Sequence, residues 1–406
     1  MDKLRAQGLI EACKQKLNEQ FNKLDQITLS CQERVLNAFR KNKIALRHFN
    51  ATTGYGYDDI GRDTLKQVYA DVFGAESANV SPNIVSGTHA IALALYANLT
   101  RGNNVLSVSG LPYDTIQPVI FGDKFSLKSE GVTFNCVPLV NNDFDYDKIA
   151  DYMSKNAVDM IYIQRSRGYE ERVSLSVYQI QKVCSFLREL GFNGCIFVDN
   201  CYGEFVEELE PTHVGADLVA GSLIKNIGGG IAPTGGYIVG KKEYIDNTEA
   251  RLTCPSIAGE VGSYTGGYRL YYQGLFLAPH TVNQALKTSM LMGACLQELG
   301  YQTIPTAYQM PTDITRSVRF DDEKKLIDFI QSVQSASPID SYLTTYPWEM
   351  PGYQDKVIMA AGCFVQGSSI ELSADAPIKP PYIAYVQGGV TFEHGIIALK
   401  EILLNL

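Results

Sequence analysis

From Asn79 onward, short apolar runs alternate with stretches of helical periodicity, and this alternation constrains the fold more than any other feature of the chain. The run "NVSPNIVSG" precedes "THAIALALYANL", "NNVLSVSG" precedes a helix after Tyr113, and "VDMIYIQ" precedes "SVYQIQKVCSFLREL". The runs "GCIFVDN", "ADLVAGS" and "GGYIVG" follow. Such an order predicts an α/β domain: a mainly parallel sheet with crossover helices, binding ligands at the carboxyl ends of its strands. Beyond about residue 285 the pattern changes to a helix, "TVNQALKTSMLMGACLQEL", then mixed strands and one more helix, "DDEKKLIDFIQSVQSA". The expected organisation is an N-terminal helical segment over 1–48, a large α/β domain over 49–285 and a small α+β domain over 286–406. Two helices are expected in the first segment, the second being "SCQERVLNAFRKNKIALRHF".

Bulk properties narrow the classes. A formal net charge of -9 without a basic block argues against a nucleic-acid partner. The opening "MDKLRAQGLIEACKQKLNEQF" has no apolar run long enough for a signal peptide or a membrane span, so a cytoplasmic protein with no membrane partner is expected. The nine cysteines form no C-x-x-C pair and read as reduced core residues. The five histidines form no metal-type pair, and no protein-ligated metal is expected.

Three glycine-bearing stretches invite a nucleotide reading. "GYGYDDIG" places its third glycine two positions too late for G-x-G-x-x-G and follows no apolar strand. "GGYIVGKK" has Walker A spacing, but Lys242 stands where Ser or Thr must reach magnesium. "VSGTHAIALAL" fits better, because Ser86, Gly87 and Thr88 supply small residues and free N–H groups where a helix begins. Two readings stand there: an anion site at the helix start, or a simple strand-to-helix turn with an N-cap.

"IFVDNCYGEF" places Asp199 at the expected carboxyl end of a strand. It is either a cap or surface ion pair, or a carboxylate held behind a ring nitrogen, as a pyridoxal phosphate site requires. Lys225 follows 26 residues later in "GSLIKNIGGG". In apolar surroundings its pKa is expected to be lowered, which favours the amine that condenses with an aldehyde. Ser222, three residues earlier, is within reach of the same phosphate, and Gly228 to Gly230 are expected to leave room for a cofactor. Tyr113, in "SGLPYDT", can stack on a planar ring, though an ordinary half-buried tyrosine is the competing reading.

Together these residues resemble the pyridoxal phosphate site of the aspartate aminotransferase superfamily, fold type I, a seven-stranded-type sheet with helices on both faces. Order and spacing are most similar to the cystathionine and methionine lyase group. "VDNCYGEF", "GSLIKNIGGGIAPTGGYIVG" and "QGSSIELSADAPIKPPYIAYVQGG" resemble its methionine gamma-lyase-like, or aluminium-resistance, branch. The resemblance implies that Lys225 binds the cofactor covalently and later moves the Cα proton. It implies that Asp199 pairs with the pyridine nitrogen, that Gly87, Thr88 and Ser222 hold the phosphate with Ser86 also among the cofactor-binding residues, and that Tyr113 stacks on the ring and assists the leaving group. It also implies a homodimer or homotetramer with the active site at a subunit interface. The group's Tyr-x-Arg pair for a neighbour's phosphate is missing, which leaves Tyr57 as the candidate. No arginine follows Arg319, so the group's clamp on the substrate carboxylate falls to Lys379, or to Arg165 or Arg167. The expected activity is carbon-sulfur bond elimination on an amino acid such as cystathionine, cysteine or methionine. The rivals are transamination, racemisation, aldol cleavage, or a non-catalytic binding protein on the same fold.

Overall fold

A computed structural model describes residues 1–350 and 353–406. Helices α1 (Lys3–Lys16) and α2 (Asn18–Lys41) open the chain, and α3 (Ile60–Phe73) leads into the first sheet. The second helix therefore starts well before Ser30 and ends before the "KIALRHF" expected within it. The first sheet is built from β1 (Ser77–Ser81), β2 (Asn104–Ser107), β3 (Thr133–Cys136), β4 (Met160–Gln164), β5 (Cys195–Asp199), β6 (Leu218–Ser222) and β7 (Gly236–Gly240). Its connecting helices are α4 (Gly87–Asn98), α5 (Gln117–Phe121), α6 (Tyr146–Lys155) and α7 (Val177–Glu189), with α8 (Lys242–Leu252) after the last strand.

The strand order is β1-β7-β6-β5-β4-β2-β3, and every neighbouring pair is parallel except the two made by β7. Strand alternation sends successive side chains to opposite faces. Phe197 packs with Ile91, Leu95 and Ile245 beneath α4 and α8, while its neighbours Ile196 and Val198 join Ile180, Val183 and Leu187 of α7 on the other side. Each large side chain buried this way is worth about 1.5–3 kcal/mol. Both faces are therefore covered by helices, as expected for a parallel sheet.

The 30-residue α9 (Arg269–Glu298) follows, running straight through residue 285, where the sequence pattern placed the change of domain. A second sheet, all antiparallel in order β10-β11-β12-β9-β8, uses β8 (Gln302–Ile304), β9 (Arg316–Arg319), β10 (Val357–Ala360), β11 (Ser373–Pro377) and β12 (Ile383–Gln387). Helices α10 (Glu323–Ser335) and α11 (Phe392–Asn405) complete it. The N-terminal helices fasten to α9: Asp25 accepts from Asn283 at 2.7 Å and pairs with Lys287 at 2.6 Å. All cysteines are unpaired, and all but Cys136 and Cys254 are buried. Among the described residues no helix is long and apolar enough to cross a membrane.

Candidate active site

Strands β2, β4, β5 and β6 point the same way, so the turns that leave them meet at one edge of the sheet. There they open on a cavity of about 220 Å3. The strands of the first sheet and the turns after them supply Tyr113, Gln164, Asp199 and Lys225, and the second sheet closes the space with Asp375, Tyr385 and Gln387, beside Thr315 just before β9. This is the carboxyl-end position where open α/β sheets take ligands.

Asp199 is the last residue of β5, and its Oδ1 accepts the Cys201 N–H at 3.1 Å. Burial pushes its pKa up, and the Lys225 charge and the Cys201 N–H pull the other way. Lys225 lies just past β6, with Nζ 4.1 Å from the centre of the Tyr202 ring. A cation held over a ring face is stabilised by the ring quadrupole. The lowered lysine pKa expected from the apolar neighbourhood is corrected. Burial, the largest single influence, does pull it down, but Cys201, Tyr202, Asp199 and Glu204 together carry it above the ordinary lysine range. The sequence window showed the apolar runs and hid these acidic side chains folded around them.

At the other end of the cavity α4 begins, and the anion-site and N-cap readings divide between neighbouring residues. Ser86 is the N-cap: its hydroxyl accepts the His89 N–H at 3.0 Å, and it does not line the cavity. The Ser86 side chain therefore serves as the cap, as the second of the two readings expected. Gly87 and Thr88 do line the cavity, and as the first two helical residues their N–H groups have no partner within the helix. Gly87 is required by close approach, because a Cβ there would stand 3.0 Å from the Ser222 Cβ. Ser222 is buried behind it, its hydroxyl accepting the Ile224 N–H at 3.4 Å.

Tyr113 lines the cavity, positioned by its backbone N–H, which donates to Gln164 Oε1 at 2.6 Å. Its hydroxyl bonds that of Tyr353, and burial raises its pKa, so it stands as a neutral phenol. Gly228 to Gly230 do not border the cavity, so their expected role as clearance for a ring is corrected. Gly229, at φ +60°, is pressed against Gly274 and Ala278 of α9, and Gly230 faces Val390.

None of the three candidates for the carboxylate clamp lines the cavity. Arg165 is fully buried beside it and spends its guanidinium on Leu175 O at 3.1 Å, Asn200 Oδ1 at 2.8 Å, Gly203 O at 2.9 Å and Glu207 Oε2 at 2.6 Å. Arg167 lies behind the wall, bonded to the carbonyls of Arg172 and Thr315. Lys379 is exposed and paired with Asp355 at 2.8 Å. Tyr57 is an exposed ring stacked on Tyr55 at 5.5 Å, outside the cavity lining.

Several lining residues were not anticipated. Cys201 and Tyr202 stand within the quoted "VDNCYGEF", and Tyr202 takes a left-handed backbone (φ 73°) that brings its ring under Lys225. Asp375 stands mid-strand in β11, accepting from the Tyr169 hydroxyl and from Gln387 Nε2 at 3.3 Å. The available signal for it was an acid inside the apolar, small-residue run "SADAP".

The donor set fits pyridoxal phosphate. One cavity holds an amine, a carboxylate, a helix start with free N–H groups and an aromatic ring, and Gly87 provides the recess that a Cβ would fill. The model of the methionine gamma-lyase family matches residues 6–406. The chain belongs to the methionine gamma-lyase family. Within the family's reach, the uncharacterized protein YnbB of Bacillus subtilis (strain 168) is 50% identical over 376 residues, 91% of this chain and 89% of that one. The solved structure of a carbon-sulfur lyase involved in aluminum resistance from Clostridium novyi NT is 46% identical, with a TM-score of 0.94 over 98% of this chain and 95% of that one. The fold, at 16% identity and a TM-score of 0.65, is also that of the pyridoxal-5'-phosphate dependent protein YhfS from Escherichia coli, covering 94% of this chain and 97% of that one.

Proposed function

We propose that this family member is a pyridoxal phosphate-dependent carbon-sulfur lyase acting on a sulfur-containing amino acid. The observation that carries the reading is the convergence of Lys225, Asp199 and the α4 N-terminus on one cavity. Lys225 would hold the aldehyde end, Asp199 the protonated ring nitrogen, and the Gly87 and Thr88 N–H groups the phosphate. When bound, the cofactor supplies an electron sink for charge developing at the substrate Cα. Lys225 sheds its proton to the medium on condensing, and its Nζ, once free again, takes the Cα proton. Tyr113, kept as a phenol, carries the proton that a departing sulfur needs.

Purified protein is expected to show a yellow chromophore that borohydride reduces and that disappears in Lys225→Ala. A chromophore that persists in that variant sinks the cofactor assignment. Incubation with cystathionine, cysteine and methionine is expected to release thiol together with pyruvate or 2-oxobutyrate, and release of none of them rejects the lyase. Among the described residues no guanidinium lines the cavity, and this favours one rival: the same cofactor used for transamination, racemisation or aldol cleavage. The exposed Tyr55, Tyr57 and Val85 support a homo-oligomer in which Tyr57 meets a neighbouring copy. A monomer by solution mass would reject that part.

A further inference from the structure

Asp375 is a carboxyl in the cavity wall for which the chemistry above has no use. It comes from the second sheet, whereas Lys225 and Asp199 come from the first. Its two hydrogen-bond donors, the Tyr169 hydroxyl and the Gln387 amide, are neutral, so they orient the carboxylate without compensating its charge. Among the described residues no basic side chain forms an ion pair with it, and the one cation whose field reaches it is Lys225. That charge is lost whenever Lys225 acts as a base. A half-buried carboxylate left without a cation is unfavourable, and a cationic group arriving with a ligand relieves it.

The aromatic rings around Asp375 point to the same kind of ligand. Tyr169 lies 5.0 Å from Tyr385 and 6.3 Å from Tyr113, centre to centre, and all three line the cavity. Aromatic faces beside a carboxylate suit an ammonium and repel an anion. Resting on the reading of this cavity as an amino-acid site, we infer that Asp375 is its specificity residue, recognising a second, positively charged group on the substrate's side chain. The preferred class is then diamino acids and amine-bearing thioethers, over neutral or acidic compounds of equal length.

The test uses the holoprotein and three ligands without a carbon-sulfur bond, with affinity read from the spectral change on binding. L-Ornithine and L-norleucine have side chains of the same size and differ in terminal charge, and L-glutamate ends in an anion. Ornithine is expected to bind about tenfold or more tightly than norleucine, with glutamate weakest, as for a charge-assisted hydrogen bond. Asp375→Asn is expected to bring ornithine and norleucine within about twofold, and Asp375→Glu to restore the order. Equal affinities in the unaltered protein overturn the inference without recourse to a variant, and so does a preference that survives in Asp375→Asn. Thiol release from S-ethylcysteine is scored separately. Release without charge preference overturns the role of Asp375 alone, and charge preference without release from any thioether overturns the lyase alone.

Discussion

The floor and the wall of the cavity are built differently. The floor residues Asp199, Lys225, Gly87 and Tyr113 sit where the chain leaves a parallel strand or enters a helix. At such turns side-chain identity is released from packing, so a lysine or an aspartate stands out against its apolar flank. The wall residues Asp375, Tyr385 and Gln387 sit within antiparallel strands, where inward and outward positions alternate and a polar residue is ordinary. On the function proposed above, the difference teaches where chemistry and where choice reside: the floor would serve any reaction of the cofactor, and the wall would decide which amino acid is admitted.

That division can be broken by experiment. The largest expected effect is at the floor. Lys225→Ala should lower turnover roughly 1000-fold or more for every substrate alike, and a substrate-dependent loss, measured as kcat/KM across a panel, would contradict the division. Arg165→Ala should instead act on folding, by about 3 kcal/mol or more in denaturant titration, because it strands Glu207 and Asn200 beside a buried site. Its ranking of substrates should not change.

Beneath the floor, Glu204 accepts from the Tyr237 hydroxyl at 2.8 Å, and burial pushes its pKa up from 4.5 to about 8. The folded carboxyl thus binds its proton more tightly than the unfolded one. Its contribution to stability is full below pH 4.5 and is lost as pH rises through about 8. Glu204→Gln should flatten that fall, which is on the order of 1.4 kcal/mol per pH unit across the window, when unfolding is followed from pH 5 to 9. The smallest effect is expected at Ser86→Ala. Loss of the cap should cost about 1 kcal/mol in thermal unfolding while cofactor affinity stays unchanged, and a large loss of affinity would return that hydroxyl to the phosphate.

Much of the first sheet was legible because its strands are short continuous apolar runs, buried on both faces and separated by helical stretches, and Asp199 and Lys225 were legible because they stand at or just past the ends of such runs. What escaped was set by distant partners. Arg165 is tied to Glu207, 42 residues away, and Lys225 is surrounded by acids that no local window displays together. Helix α2 begins after Leu17, which makes no side-chain cap bond, while Ser30-Cys31-Gln32-Glu33 has the form of a capping box and lies mid-helix. There tertiary packing overrides the local signal. The glycines after Lys225 were read as space for a ligand, and space for α9 was their actual use.

That long helix also works as a caliper. Thr281 donates to the carbonyl of Gly229, four residues past Lys225, while Thr288 packs against Gly389, two residues past Gln387. Seven residues of α-helix therefore separate the seat of the lysine turn from the seat of the opposing strand's end, a span of about 10 Å fixed by the rise per residue. One residue inserted between these seats would turn one against the other by about 100° and pull the two halves of the cavity out of register. The gap that a substrate must fit is thus gauged by a helix that never touches it.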